Sequence, residues 1–137
     1  MFVEPADKKN EYRLFWLIVN GGILSIVLTF IMQVRWEEIL FRVTGLHYYM
    51  NPFVANFLIV GPVEELSKFA VFIALTGIMK SIKEPRDGIP QAASVALGFA
   101  LVENLIYVFR YGIIVLLVRS ILSIIGHMSY AVIWGFA

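Results

Sequence analysis

Gly61-Pro62-Val63-Glu64-Glu65-Leu66-Ser67-Lys68-Phe69 places two carboxylates and an ammonium inside an otherwise apolar run from Phe53 to Met79. A charge at the centre of a bilayer costs about 2.5–3.5 kcal/mol on insertion scales, so three unpaired ions would cost roughly 8–10 kcal/mol. That is the size of the net stability of a whole domain. Pairing must reduce it, and an ionisable cluster inside an apolar segment is by default a functional site. Two further polar groups sit in the runs that follow: Glu103-Asn104 in the next one and His127 in the one after.

The rest of the chain supports a membrane setting. Hydrophobic residues make up 60% of its 137 residues and charged residues only 15%, against roughly 25% charged in soluble domains. The fold class expected is all-α: a polytopic transmembrane helical bundle of about four spans. It forms one integral-membrane domain over 1–137, with a site-bearing core at 52–137. Leu14 to Val34 is uncharged and, at 1.5 Å per residue, covers the ~30 Å hydrocarbon core. Residues 35–51 read as a connector with an amphipathic piece from Trp36 to Val43, and Trp36, Tyr48 and Tyr49 suit an aromatic belt. The second span runs from Pro52 to Met79, with a kink at Pro62, which lacks a backbone donor. Lys80 to Pro90 reads as a polar loop, Gln91 to Phe109 as the third span and Tyr111 to Ala137 as the fourth. The chain stops inside an apolar run with no polar cap, which reads as a truncated C-terminus. Lys8, Lys9 and Arg13 before the first span, and Lys80, Lys83 and Arg86 before the third, put the N-terminus on the cytoplasmic side of the plasma membrane.

Depth ties the polar groups together. Glu65 lies ~21 Å and Glu103 ~18 Å from the cytoplasmic ends of their helices, and His127 ~24 Å down from the opposite side. All three reach one region of the membrane interior. Lys68 can pair with Glu64 or Glu65, four and three residues away, whereas those two carboxylates diverge by about 100° around the helix. Phe99 and Glu103 share a helix face, with Asn104 offset from it. Ser120, Ser123, His127 and Ala131 stack on the fourth span. Desolvation favours the neutral acid, and a neighbouring cation or metal favours the carboxylate that a general base requires. Such a set can activate water for peptide hydrolysis or hold a divalent metal.

Other readings stand beside this one. Glu65 with Lys68, and Glu103 with Arg119, can be ion pairs that only fix helix register. His127 can be a packed histidine bonded to Ser123, and Arg119 a structural or snorkelling cation. The same glutamates can also serve a non-enzymatic ion or proton translocator. His47 lies in a connector and reads as surface. The chain has no cysteine, which excludes thiol nucleophiles and thiolate metal sites. There is no H-E-x-x-H, no G-x-S-x-G and no aspartate within a span, which removes the zincin, serine-elbow and paired-aspartate designs. No basic stripe suggests nucleic acid. The partners expected are the lipid bilayer and a membrane-protein or peptide substrate.

The ordered set Glu64-Glu65-x-x-Lys68, Phe99-x-x-x-Glu103-Asn104 and His127 followed by Gly135 resembles the PrsW family of intramembrane proteases. That family belongs with a larger group containing CAAX prenyl proteases and bacteriocin-processing membrane proteins. The resemblance covers residues 61–135 and implies a polytopic endopeptidase, metal- or glutamate-dependent, acting on membrane-bound anti-sigma factors. Carried over by position, Glu64 and Glu65 are the catalytic pair, His127 the third essential group, and Glu103 with Asn104 the second block. Asn104 or His127 would stabilise the oxyanion. A zinc ion would be held by Glu65, Glu103 and His127. The CAAX group has histidine where this chain has Glu103, and catalytic zinc usually has more imidazole or thiolate, so water activated by glutamate without a metal stays open. Glu37-Glu38-x-x-x-Arg42 mimics the first block of the CAAX group, but it lies in the connector and is read as interfacial.

Overall fold

The computed structural model describes residues 8–45, 55–80, 82 and 84–136. Among them the chain forms four α-helices and one π-helical turn, with no strand: α1 (Lys8–Thr44), the π-turn (Asn56–Val60), α2 (Gly61–Met79), α3 (Pro85–Tyr111) and α4 (Ile113–Phe136). The helical architecture is the one expected, and three of its boundaries differ.

The first concerns α1, which does not stop at the membrane boundary. Between Ile23 and Thr44 there is no glycine or proline to break it, and Glu38 bridges Arg35 at 3.5 Å and Arg42 at 2.6 Å along the exposed surface. Ion pairs at these spacings support a solvated helix. The 35–44 part of the expected connector is therefore helix. It ends at Gly45, whose φ of +66° suits glycine and whose amide bonds to Phe41 O. Residues 46–54, with His47, Tyr48, Tyr49 and Pro52, lie outside the described residues.

The second difference is at Pro62. In place of a simple kink, the preceding turn widens, and the Gly61 amide bonds back to Asn56 O, five residues away. A π-turn of this kind absorbs the register change that a proline within a helical run imposes. The third is the start of α3, six residues earlier than expected. Pro85 occupies the first turn, where its missing N–H costs nothing. Glu84 and Asp87 form a reciprocal capping box, with the Glu84 amide donating to Asp87 Oδ2 at 3.0 Å. Half of the expected loop is thus the opening of the helix.

Neighbouring helices alternate in direction. Gly21 faces Leu75, while Ser67 further back on α2 bonds Met32 further along α1, so these two run antiparallel. Gly88 meets Gly135, and Glu103 meets Arg119, so α3 and α4 are antiparallel. α1 and α3 lie parallel and touch backbone to backbone. A Cβ on Gly22 would sit 2.6 Å from the Phe99 amide nitrogen, and one on Gly98 2.5 Å from Val19 O. Only glycine fits there, the small-residue contact by which helices pack without a hydrophobic drive. The core is at this end: Ile18, Phe72, Ala92, Val95, Ala96 and Ala131, with Met79 and Trp134 against them.

Among the described residues two helices, Phe15–Thr44 and Asp87–Tyr111, are long and apolar enough to cross a membrane by length and composition, which supports the expected four spans in part. In α2 the obstacle is the charge cluster itself, three ions in 19 residues.

Candidate functional site

α2 carries Glu64, Glu65 and Lys68 in the first two turns after the π-turn. Lys68 is completely buried, and an unpaired ammonium would not remain there. It forms an ion pair with Glu65 Oε1, approaches His127 Nδ1 at 2.7 Å and lies 4.4 Å from the centre of the Phe99 ring. Carboxylate, imidazole and aromatic face together replace its hydration shell.

Glu103 on α3 is enclosed by α4. Arg119 Nη2 donates to its Oε1 at 2.5 Å. Ser123 Oγ donates to Oε2 at 3.2 Å, and His127 Nε2 lies 3.2 Å from the same oxygen. Arg119 is stacked 3.4 Å above the Tyr107 ring, so it clamps Glu103 and does not snorkel to the surface. Both expected ion pairs, Glu65–Lys68 and Glu103–Arg119, are present. Ser123 bonds Glu103, not His127, because the carboxylate of α3 reaches between them.

His127 joins the two carboxylates. Its Nδ1 faces Lys68 and Glu65 Oε1, the latter at 3.4 Å, and its Nε2 faces Glu103. A neutral imidazole has one donor and one acceptor nitrogen, which leaves two arrangements. With the proton on Nε2, the ring donates to Glu103 and accepts from Lys68. With the proton on Nδ1, the ring donates to Glu65, Lys68 gives up its bond to that nitrogen, and the Nε2 lone pair is free beside Glu103. The second is the carboxylate–histidine arrangement that orients a metal ligand.

Glu64, Glu103 and His127 each bring one donor atom within 4.8 Å of the others. The grouping differs from the expected Glu65, Glu103 and His127 in one member. Glu65 is occupied elsewhere, by Lys68, by His127 and by Trp134, whose Nε1 donates to Oε2 at 3.2 Å. The trio fits a divalent cation by chemistry, since two carboxylates and an imidazole are all ligands of such ions.

Asn104 stands apart. It is buried, its Oδ1 has no hydrogen-bond partner, and it lines neither cavity of the site. Glu38 and Arg42 lie on the exposed surface of α1. Sequence reasoning missed Trp134, although it follows His127 by seven residues and so shares its helix face. Trp134 packs edge-on against Phe69 and Phe72, with ring centres 5.7 and 5.0 Å away, and this fixes its N–H toward Glu65. Asn56, in the π-turn, was also missed. It and Glu64 line both cavities that reach the cluster: one of about 500 Å³ between α2 and α4 beside Glu65, Gly126 and His127, and one of about 260 Å³ between α1, the π-turn and α3 beside Glu103.

Comparison with known proteins gives a consistent result. The family described as PrsW family intramembrane metalloprotease matches residues 10–137. Protease PrsW of Shouchella clausii (strain KSM-K16) is 32% identical over 130 residues, covering 95% of this chain and 57% of that protein. Protease PrsW of Bacillus subtilis (strain 168) is 31% identical over 121 residues, covering 88% and 53%. That of Clostridioides difficile (strain 630) is 29% identical over 126 residues, covering 89% and 50%. The chain spans about half the length of these curated relatives. No solved structure matches it.

Proposed function

The chain belongs to the PrsW family of intramembrane metalloproteases, and we propose that it carries the active centre of an endopeptidase that cleaves membrane-protein substrates of the anti-sigma-factor kind. The observation that carries this reading is the convergence of Glu64, Glu103 and His127, from three helices, beside the Glu65–Lys68 pair. The alternating helix directions support a multi-pass arrangement, and the Lys and Arg before the first and third spans support an N-terminus on the cytoplasmic side.

Glu64, Glu103 and His127 would hold the metal. A divalent ion bound there would polarise the scissile carbonyl and acidify water. Glu65 is the general base. The ammonium of Lys68 holds a positive charge beside its Oε1, and the Trp134 N–H fixes Oε2, so the carboxylate is oriented toward the larger cavity, where His127 and Gly126 also lie. In the reaction the water oxygen bonds to the peptide carbonyl carbon, and Glu65 takes one water proton. The C–N bond then breaks as that proton passes to the leaving amine. The cleft of about 500 Å³ has the size of a ligand site and accommodates a short extended stretch of the substrate.

Elemental analysis of the detergent-purified protein, paired with a cleavage assay, separates these roles. Wild type is expected to hold about one metal per chain. Glu64→Gln and His127→Ala lose both metal and cleavage. Glu65→Gln keeps the metal while cleavage falls by about 10²–10⁴-fold, the contribution of a general base. Cleavage that survives Glu65→Gln removes this residue from its role, and pH-driven ion flux in liposomes without proteolysis replaces the protease by a translocator.

A further inference from the structure

A hydrolase inside a membrane needs a path for water as well as a place for its substrate, and two cavities meet at this site. We propose that the cavity of about 260 Å³ between α1, the π-turn and α3 is a hydrated passage, leading from the membrane boundary where α3 ends to the carboxylates of Glu64 and Glu103. Its use to feed hydrolysis rests on the protease reading. Its hydration does not.

The three elements each contribute a single stripe to its wall. On α3, Glu103, Tyr107 and Arg110 follow at intervals of four and three residues, a helix face about 10 Å long. Arg110 and Tyr111 form the outer end and are exposed. On α1 the parallel stripe holds Thr29 and Gln33, and Gln33 is followed two residues later by Arg35, whose side chain is 76% exposed. The mouth therefore opens where both helices leave the apolar zone. At its inner end are Glu64 and Glu103, with Asn56 in the wall shared with the larger cavity. Polar groups recur along the passage at Thr29, Gln33, Tyr107 and Arg110, interleaved with apolar side chains such as Ile26 and Ile106. Buried water occupies sites that offer several polar partners and enough room, and this volume admits several molecules. Lipid tails would meet these polar groups, at a cost for each one left unsatisfied. The larger cavity, although Glu65, Ser123 and His127 also line it, opens at Leu122 and Gly126 of α4 beside an exposed apolar helix face, as suits a peptide arriving from the membrane.

The chain contains no cysteine, so single thiols report without background. Thr29→Cys and Ile106→Cys place a thiol in the wall of the passage. Ile121→Cys places one at a similar depth, between Arg119 and Ser123, on an apolar position that is 62% exposed on α4. With the protein in liposomes, the permanently charged reagent methanethiosulfonate ethyltrimethylammonium is expected to modify the first two at least ten times faster than the third. Adding Ile106→Trp, which fills the passage, should slow modification of Thr29→Cys by a similar factor. Modification of both wall positions no faster than Ile121→Cys overturns the passage, even if proteolysis is intact. Fast modification in a protein that cleaves nothing leaves the passage standing and removes the protease reading.

Discussion

The two ends of this bundle are built on different principles. At the end where α1 and α3 begin, helices meet through small residues: Ala92, Ala96 and Ala131 are fully buried, and Gly22 lies against the backbone of α3. At the other end, Asn56, Tyr107 and Arg110 project between the helices, and cavities of about 260 and 500 Å³ open beside them. The charge cluster occupies the border between the two. One side of it is the packed contact of Phe72 with Trp134. The other is open to whatever must reach the carboxylates. A site that needs fixed ion pairs and also access is met by placing it where tight packing ends.

Lys68 is the point at which that border is most easily broken. It is completely buried, it pairs with Glu65, and it lies 2.7 Å from His127 Nδ1. Lys68→Met keeps the length and removes the charge, leaving a carboxylate whose chief counter-ion is gone. Removing one partner of a buried pair costs about 3–5 kcal/mol, the largest effect expected here, read from denaturant unfolding in detergent micelles. Lys68→Met with Glu65→Leu should recover most of that loss, because the pair replaced together leaves no orphaned charge. If the double variant is no more stable than the single one, the ammonium is held by something other than this pair.

Gly98→Ala tests the packed end. The added methyl would sit 2.5 Å from Val19 O, on backbone that cannot rotate away. α1 and α3 must separate, and overpacking of this kind costs about 1–3 kcal/mol. The expected result is lower thermal stability with the metal content of the folded fraction unchanged, since Gly98 faces α1 and lies five residues, more than a full turn, before Glu103.

How much of this is legible without a structure depends on the range of the interaction concerned. Helical class follows from apolar runs whose length matches a bilayer. Glu64, Glu65 and Lys68 are linked by spacing of three and four residues along one helix, and Glu103 and His127 by depth arithmetic along others. What could not be read is which carboxylate turns toward which neighbour. Residues 64 and 65 differ by about 100°, and the choice between them as a metal ligand depends on the rotation of α2, set by the π-turn before Pro62. The partner of Ser123 depends in the same way on the distance between α3 and α4. The capping box at Glu84 and Asp87 and the spacing of Trp134 from His127 are local signals that sequence reading can use. They were overlooked because one lies in a polar loop and the other on an apolar face.

Gly126→Ala applies the same chemical change to the open end, and the contrast with Gly98→Ala is the finest test of the difference between them. A Cβ on Gly126 meets nothing within 4 Å, and the residue lies in the interior of α4 (Ile113–Phe136). With no clash to oppose it, the helix propensity of alanine over glycine is the dominant effect, worth about 0.5–1 kcal/mol. The substitution should therefore stabilise the protein slightly, where its counterpart at Gly98 destabilises it. The methyl also enters the larger cavity beside His127, so KM for a peptide substrate is expected to rise while kcat stays within a factor of about two, the mark of lost uniform binding. If Gly126→Ala destabilises the protein as much as Gly98→Ala does, that space is filled in the native protein, and the open end is packed as tightly as the other.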